Sequence, residues 1–88
     1  MKIAFRDSFA KDLKSVKRKA LLKRVKDLIE TVEQADTLAE IPNLKKLKGS
    51  GNYFRLRLGD YRLGIALEND VVNFVRLLNR KDIYRQFP

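Results

Sequence analysis

Eighty-eight residues, 44% of them hydrophobic, are enough for one domain (1–88) around one small core, and are too apolar for a disordered chain. There is no cysteine and no histidine, which excludes disulfides, thiolate or imidazole metal ligation, a cysteine nucleophile and a histidine base. A net charge of +9 points instead to a polyanionic partner, nucleic acid first.

Ile3 and Phe5 mark a short first strand over Lys2 to Phe5. Asp7 or Ser8 then caps a helix by accepting a free backbone N–H, and Phe9, Leu13 and Val16 fall on one helical face. Ser15 is placed to cap a second, longer helix, in which Leu21, Val25, Leu28, Ile29 and Val32 line one side. Ala35 to Lys48 is a connector with one helical turn, Thr37 to Ile41, that Pro42 stops. The loop signal Gly49-Ser50-Gly51-Asn52 follows. Tyr53 to Leu58 alternates, with Phe54, Leu56 and Leu58 on one face and Arg55 and Arg57 on the other. Gly59-Asp60 turns the chain into Tyr61 to Glu68, which places Leu63, Ile65 and Leu67 opposite Arg62, Gly64 and Ala66. Asn69-Asp70 turns it again into a last strand, Val71 to Leu78, and Lys81 to Phe87 reads as a short tail. The order β-α-α-β-β-β predicts an α+β domain, a helical hairpin packed on a small, mainly antiparallel sheet. No apolar run approaches the ~20 residues of a membrane span, and MKIAFRDSF lacks a signal-peptide core. The expectation is a cytoplasmic protein with no membrane partner.

Basic residues are concentrated between Lys45 and Arg62, where six stand against one acid. One sheet face carries Arg55, Arg57 and Arg62, with Lys48 before it, Arg76 and Arg80 after it and Tyr84 at its edge. Such a face suits a phosphodiester chain, because guanidinium forks hold phosphate oxygens and an aromatic ring stacks a base. Gly64 and Ala66 share that face. Either they leave the strand backbone open to a ligand, or they fit under the helices.

A short strand, a helical hairpin, a basic connector and then YFRLRLGDYRLGIALENDVVNFVRLLNRKDIY resemble the RelE/ParE superfamily of bacterial toxins from type II toxin–antitoxin pairs. The similarity covers nearly the whole chain and is most specific at DYRL (Asp60–Leu63) and RKDIY (Arg80–Tyr84). The basic set with a late tyrosine is closer to the RelE branch, whose members cut mRNA in the ribosomal A site, than to the ParE branch, which poisons DNA gyrase. The resemblance therefore implies a RelE-like toxin domain that acts on mRNA at the ribosome, with no cofactor and no metal, and a cognate antitoxin as partner.

Carried over by position, Arg55 and Arg57 stand where that branch often has two lysines on one strand. Arg62 matches the arginine after the tyrosine of the next strand, Arg80 the arginine after the last strand, and Tyr84 the terminal tyrosine. The resemblance implies catalytic roles for Arg57, Arg62, Arg80 and Tyr84 and substrate binding by Lys48 and Arg55, while Arg76 serves structure or antitoxin binding. Lys14, Lys17, Lys19, Lys23 and Arg24 would grip ribosomal RNA. Two departures bear on the chemistry. Arginine holds its proton too firmly to be a good base at position 57, which leaves Tyr84 as base or stacking platform, with Lys48 a further candidate. Asn79 also stands where many relatives carry a histidine. Two other readings stay open: a ParE-like gyrase inhibitor, and a catalytically silent module that binds nucleic acid or antitoxin.

Overall fold

The computed structural model of the chain describes residues 1–47, 49 and 51–87. Its elements are β1 (Lys2–Phe5), α1 (Asp7–Ser15), α2 (Lys19–Gln34), a single 3-10 turn (Leu38–Glu40), β2 (Leu44–Lys46), β3 (Tyr53–Leu58), β4 (Tyr61–Glu68), β5 (Val71–Asn79) and α3 (Arg80–Gln86). The strands form one sheet in the order β1-β5-β4-β3-β2. β1 runs parallel to β5, and the other three pairs are antiparallel. The α+β architecture and the helical hairpin are as expected. The expected element order lacks two members, β2 inside the connector and α3 in the stretch read as a tail.

Local chemistry accounts for most boundaries and corrects both expected helix caps. Arg6, not Asp7 or Ser8, is the N-cap of α1, and it makes no side-chain cap bond. Asp7 sits in the first turn, where its charge complements the helix dipole. Ser15 ends α1 rather than starting α2; its hydroxyl donates to the Asp12 carbonyl at 2.7 Å. The helices part at Val16 and Arg18, both in extended backbone, so no glycine or proline is needed. Thr37 and Glu40 form a capping box around the 3-10 turn ahead of Pro42. Asn69 and Asp70 both take positive φ, +53° and +63°, as the tight β4–β5 hairpin requires.

The main core lies between the sheet and the hairpin. Phe9 of α1 and Leu21, Val25 and Val32 of α2 pack on Leu56, Leu58, Leu63, Ile65, Val72, Phe74 and Leu77. A second, smaller apolar layer lies on the opposite face. There Ile83 and Phe87 are buried, and the Phe87 ring lies over Gly64 and meets the Tyr53 ring edge-on at 5.5 Å.

β1 covers only residues 71–74 of β5, which leaves the far half of that strand as an edge. α1 closes it with side chains. Ser8 donates to the Val75 carbonyl, at the point where a bulge opposite the Gly64–Ile65 step leaves Val75 without a cross-strand partner. Asp12 accepts from the Leu77 N–H at 2.9 Å and from Arg76 Nε and Nη2 at 2.7 and 3.0 Å. Arg76 is therefore a structural residue, and its hydrogen bonds to Asp12 raise its pKa above the usual arginine value. Asp12→Ala orphans a strand N–H and a half-buried guanidinium. It is expected to cost about 2–3 kcal/mol in a urea melt without changing RNA binding.

Candidate active site on the cationic sheet face

Period-2 alternation puts Arg55, Arg57 and Arg62 on the face away from α1 and α2. Arg57 and Arg62 are direct cross-strand partners, Arg55 lies opposite Gly64, and β2 brings Lys45 opposite Arg55. Like charges in directly opposed positions destabilise a sheet. Here two such pairs stand side by side, so the face is shaped for something other than stability. With Asn43, Leu44 and Tyr84 these side chains line a pocket of about 440 Å³. Among the described residues its lining holds four cations and no carboxylate.

Arg62 forms the floor of this pocket. Alternation alone puts it on the open face of the sheet, yet it is only 8% accessible. The reason is its own hairpin: Nη1 donates to the Gly59 carbonyl at 2.7 Å and to the Tyr61 carbonyl at 2.8 Å. The rest of the guanidinium has no other partner among the described residues. Burial first, and then the charges of Arg57, Arg55 and Arg80, push its pKa below the usual arginine value, while Tyr84 pulls the other way. An anion entering the pocket would relieve that repulsion.

Tyr84 is 69% exposed, and its ring stands 5.0 Å from the Arg55 guanidinium. Both groups line the pocket, the guanidinium over the ring in a cation–π contact. Arg80 opens α3 and donates its backbone N–H to the Asp60 carbonyl at 2.8 Å, which clamps the helix start to the β3–β4 turn. Its side chain is exposed and is not part of the pocket lining. Lys48 lies outside the described residues, as does Ser50 of the expected loop. The structure thus brings together Arg55, Arg57, Arg62 and Tyr84, with Arg80 beside them.

Neither reading of Gly64 holds. A Cβ at that position would fall 2.8 Å from three ring atoms of Phe87, so the glycine makes room for α3 and not for a ligand or for the hairpin. Asn79, where a histidine was missed, is the N-cap of α3; its side chain accepts from the Lys81 N–H at 3.1 Å. Asn79 followed by Asp82 at the third helical position was the signal for this helix. Asn43 and Lys45 are pocket residues that the sequence did not single out, because β2 has only three residues. Beyond Asn43 and Arg57 the surface continues into a shallower depression that adds Arg24 and Thr31. The Arg24 guanidinium packs on Gly59, whose φ of +60° and missing Cβ both suit a glycine.

The family model described as ParE toxin of type II toxin-antitoxin system, parDE, matches residues 3–84. Toxin RelE3 of Methanocaldococcus jannaschii is 43% identical over 89 residues, covering all of both chains. Among solved structures, the RelB-RelE antitoxin-toxin complex from Methanococcus jannaschii superimposes with a TM-score of 0.80 at 41% identity, covering 97% of this chain and 99% of that one. The archaeal RelE-RelB complex from Pyrococcus horikoshii OT3 does so with a TM-score of 0.72 at 26% identity, covering 90% and 93%.

Proposed function

We propose a ribosome-dependent endoribonuclease activity from one premise: the chain belongs to the RelE/ParE family of toxins of type II toxin–antitoxin systems. The observation that carries the proposal is the pocket itself, three cations around the buried Arg62 guanidinium with no acid among the described lining residues. The scissile phosphate sits on Arg62, whose remaining N–H groups donate to the non-bridging oxygens. The substrate 2′-OH attacks the phosphorus, the bond to the 5′-oxygen breaks, the proton lost by the 2′-OH ends on that oxygen, and the products are a 2′,3′-cyclic phosphate and a 5′-hydroxyl. Arg57 and Arg62 stabilise the extra negative charge of the phosphorane, which is the role fixed cations fill best. Arg80, one residue into α3, steadies the leaving oxygen. Tyr84 stacks a base or takes the 2′-proton, while Arg55 and Lys48 hold the flanking phosphates.

No imidazole is present, so proton transfer is weakly served and orientation must supply much of the rate. A ribosome that presents mRNA in an in-line geometry can contribute on the order of 7 kcal/mol or more. Ribosomal RNA then meets the basic helix faces, and the protein works in the cytoplasm. Among the described residues no helix is long and apolar enough to cross a membrane. The related RelE proteins were solved with RelB antitoxins, and we assign this chain a cognate antitoxin that neutralises Arg55, Arg57, Arg62 and Arg80.

The test is cleavage of a defined mRNA on purified ribosomes. The expected result is cuts in the A-site codon with 5′-hydroxyl and cyclic phosphate ends, and no cuts in ribosome-free RNA. Intact mRNA on the ribosome would refute the reading. Binding to a short single-stranded RNA should also fall with salt, with a log–log slope of about −3 for four cationic contacts. A flat titration between low and physiological salt would count against the pocket as a phosphate site.

A further inference from the structure

We infer that Phe87 is a positioning residue of the pocket: its ring, seated in the notch that Gly64 leaves in β4, fixes α3 so that Tyr84 stands over Arg55. The Phe87 ring fills the space where a Cβ of residue 64 would be, with three ring atoms at 2.8 Å, and meets Tyr53 edge-on at an interplanar angle of 86°. Ile83 is the buried residue of α3, at 2% exposure, and Phe87, its C-cap, is buried at 6%. They flank the exposed Tyr84 on either side in sequence.

The start of α3 is clamped at Arg80 and capped by Asn79; its far end, beyond Tyr84, is held by Phe87. A helix of seven residues does not stand alone in water. A cation–π contact at an exposed site is too weak to order one. The Phe87 N–H closes the last turn on the Ile83 carbonyl at 3.0 Å, so the peg and the helix end are one unit. Neither Phe87 nor Ile83 belongs to the main core, which lies on the other face of the sheet. Unseating the peg should therefore release the pocket wall and leave the fold standing. The inference rests on the ribonuclease reading only for its consequence in activity.

The experiment is NMR of the Arg55 side-chain Nε–H, which senses the Tyr84 ring current, in the wild type and in Tyr84→Ala, Phe87→Ala, Phe87→Leu, Gly64→Ala and the double variant Gly64→Ala/Phe87→Ala. Tyr84→Ala gives the shift for an absent ring. Phe87→Ala and Gly64→Ala are each expected to move the Arg55 signal most of the way to that value. Phe87→Leu should restore part of the wild-type position, and the double variant should add nothing to either single change. On ribosomes kcat should fall on the order of 10- to 100-fold, as a misplaced group does, with KM within about twofold. An Arg55 signal at its wild-type position in both Phe87→Ala and Gly64→Ala, or additive effects in the double variant, would overturn the peg. A shifted signal with undiminished cleavage would uphold the peg and remove Tyr84 from the proposed chemistry.

Discussion

Arg62→Ala is expected to abolish growth inhibition while the protein remains folded. The side chain is the only buried charged one among the described residues, and it lies where Arg57, Arg55 and Arg80 all raise the local potential. Removing one preorganised donor from a site of developing charge costs on the order of 100-fold or more in rate. Two hydrogen bonds to the β3–β4 turn are lost as well, at 2.7 and 2.8 Å in the wild type. That loss is offset by relief of the like-charge pairing with Arg57, so the net change in stability should stay near 1 kcal/mol. Arg62→Lys should keep the charge but not the fork, and should recover only a small part of the activity. A folded Arg62→Ala protein with full toxicity would remove this residue from the mechanism.

Arg57→Glu is expected to make the protein more stable and to destroy its function together. Arg57 lies directly opposite Arg62 across the hairpin. Reversing its charge turns a repulsive cross-strand pair into an ion pair, a swing of about 0.5–1.5 kcal/mol. In a domain of this size that raises the thermal midpoint by several degrees. The same change puts a carboxylate into a pocket whose described lining has none, so RNA affinity should fall on the order of 10- to 100-fold. Antitoxin binding should weaken in parallel if the antitoxin covers the same cations. A variant that loses stability, or that gains it and keeps RNA affinity, would show that the opposed arginines are not held against their own repulsion for the sake of an anion.

The cationic face was legible in the sequence because it depends on a period of two. Arg55, Arg57 and Arg62 alternate with Phe54, Leu56, Leu58, Leu63 and Ile65, and a one-residue slip would have buried three arginines in the main core. The turns at Gly59-Asp60 and Asn69-Asp70 fixed the register on both sides of β4. Depth was not legible. Arg62 looked exposed because alternation gives a face and not the height of a side chain above it, and its burial comes from carbonyls of its own hairpin. Short elements were missed for the reason that they carry little pattern. β2 is three residues among lysines, and α3 shows only Ile83 and Phe87 as apolar contacts in seven residues and a cap. Missing α3 cost the reading of Gly64, since the ring that fills the notch arrives from a segment taken for a tail. The branch within the family rested on Arg62, Arg80 and Tyr84. Of these the structure gathers Arg62 and Tyr84 in the pocket and leaves Arg80 at its border.

The central claim is that this pocket cuts mRNA on translating ribosomes, and mapping of mRNA 5′ ends after induced expression tests it most directly. Wild-type protein should produce 5′-hydroxyl ends at a fixed position within codons across many messages, within minutes of induction, and Arg62→Ala should produce none. Growth arrest without new mRNA ends, accompanied by a DNA-damage response, would contradict the claim and place the chain with the gyrase poisons of its family.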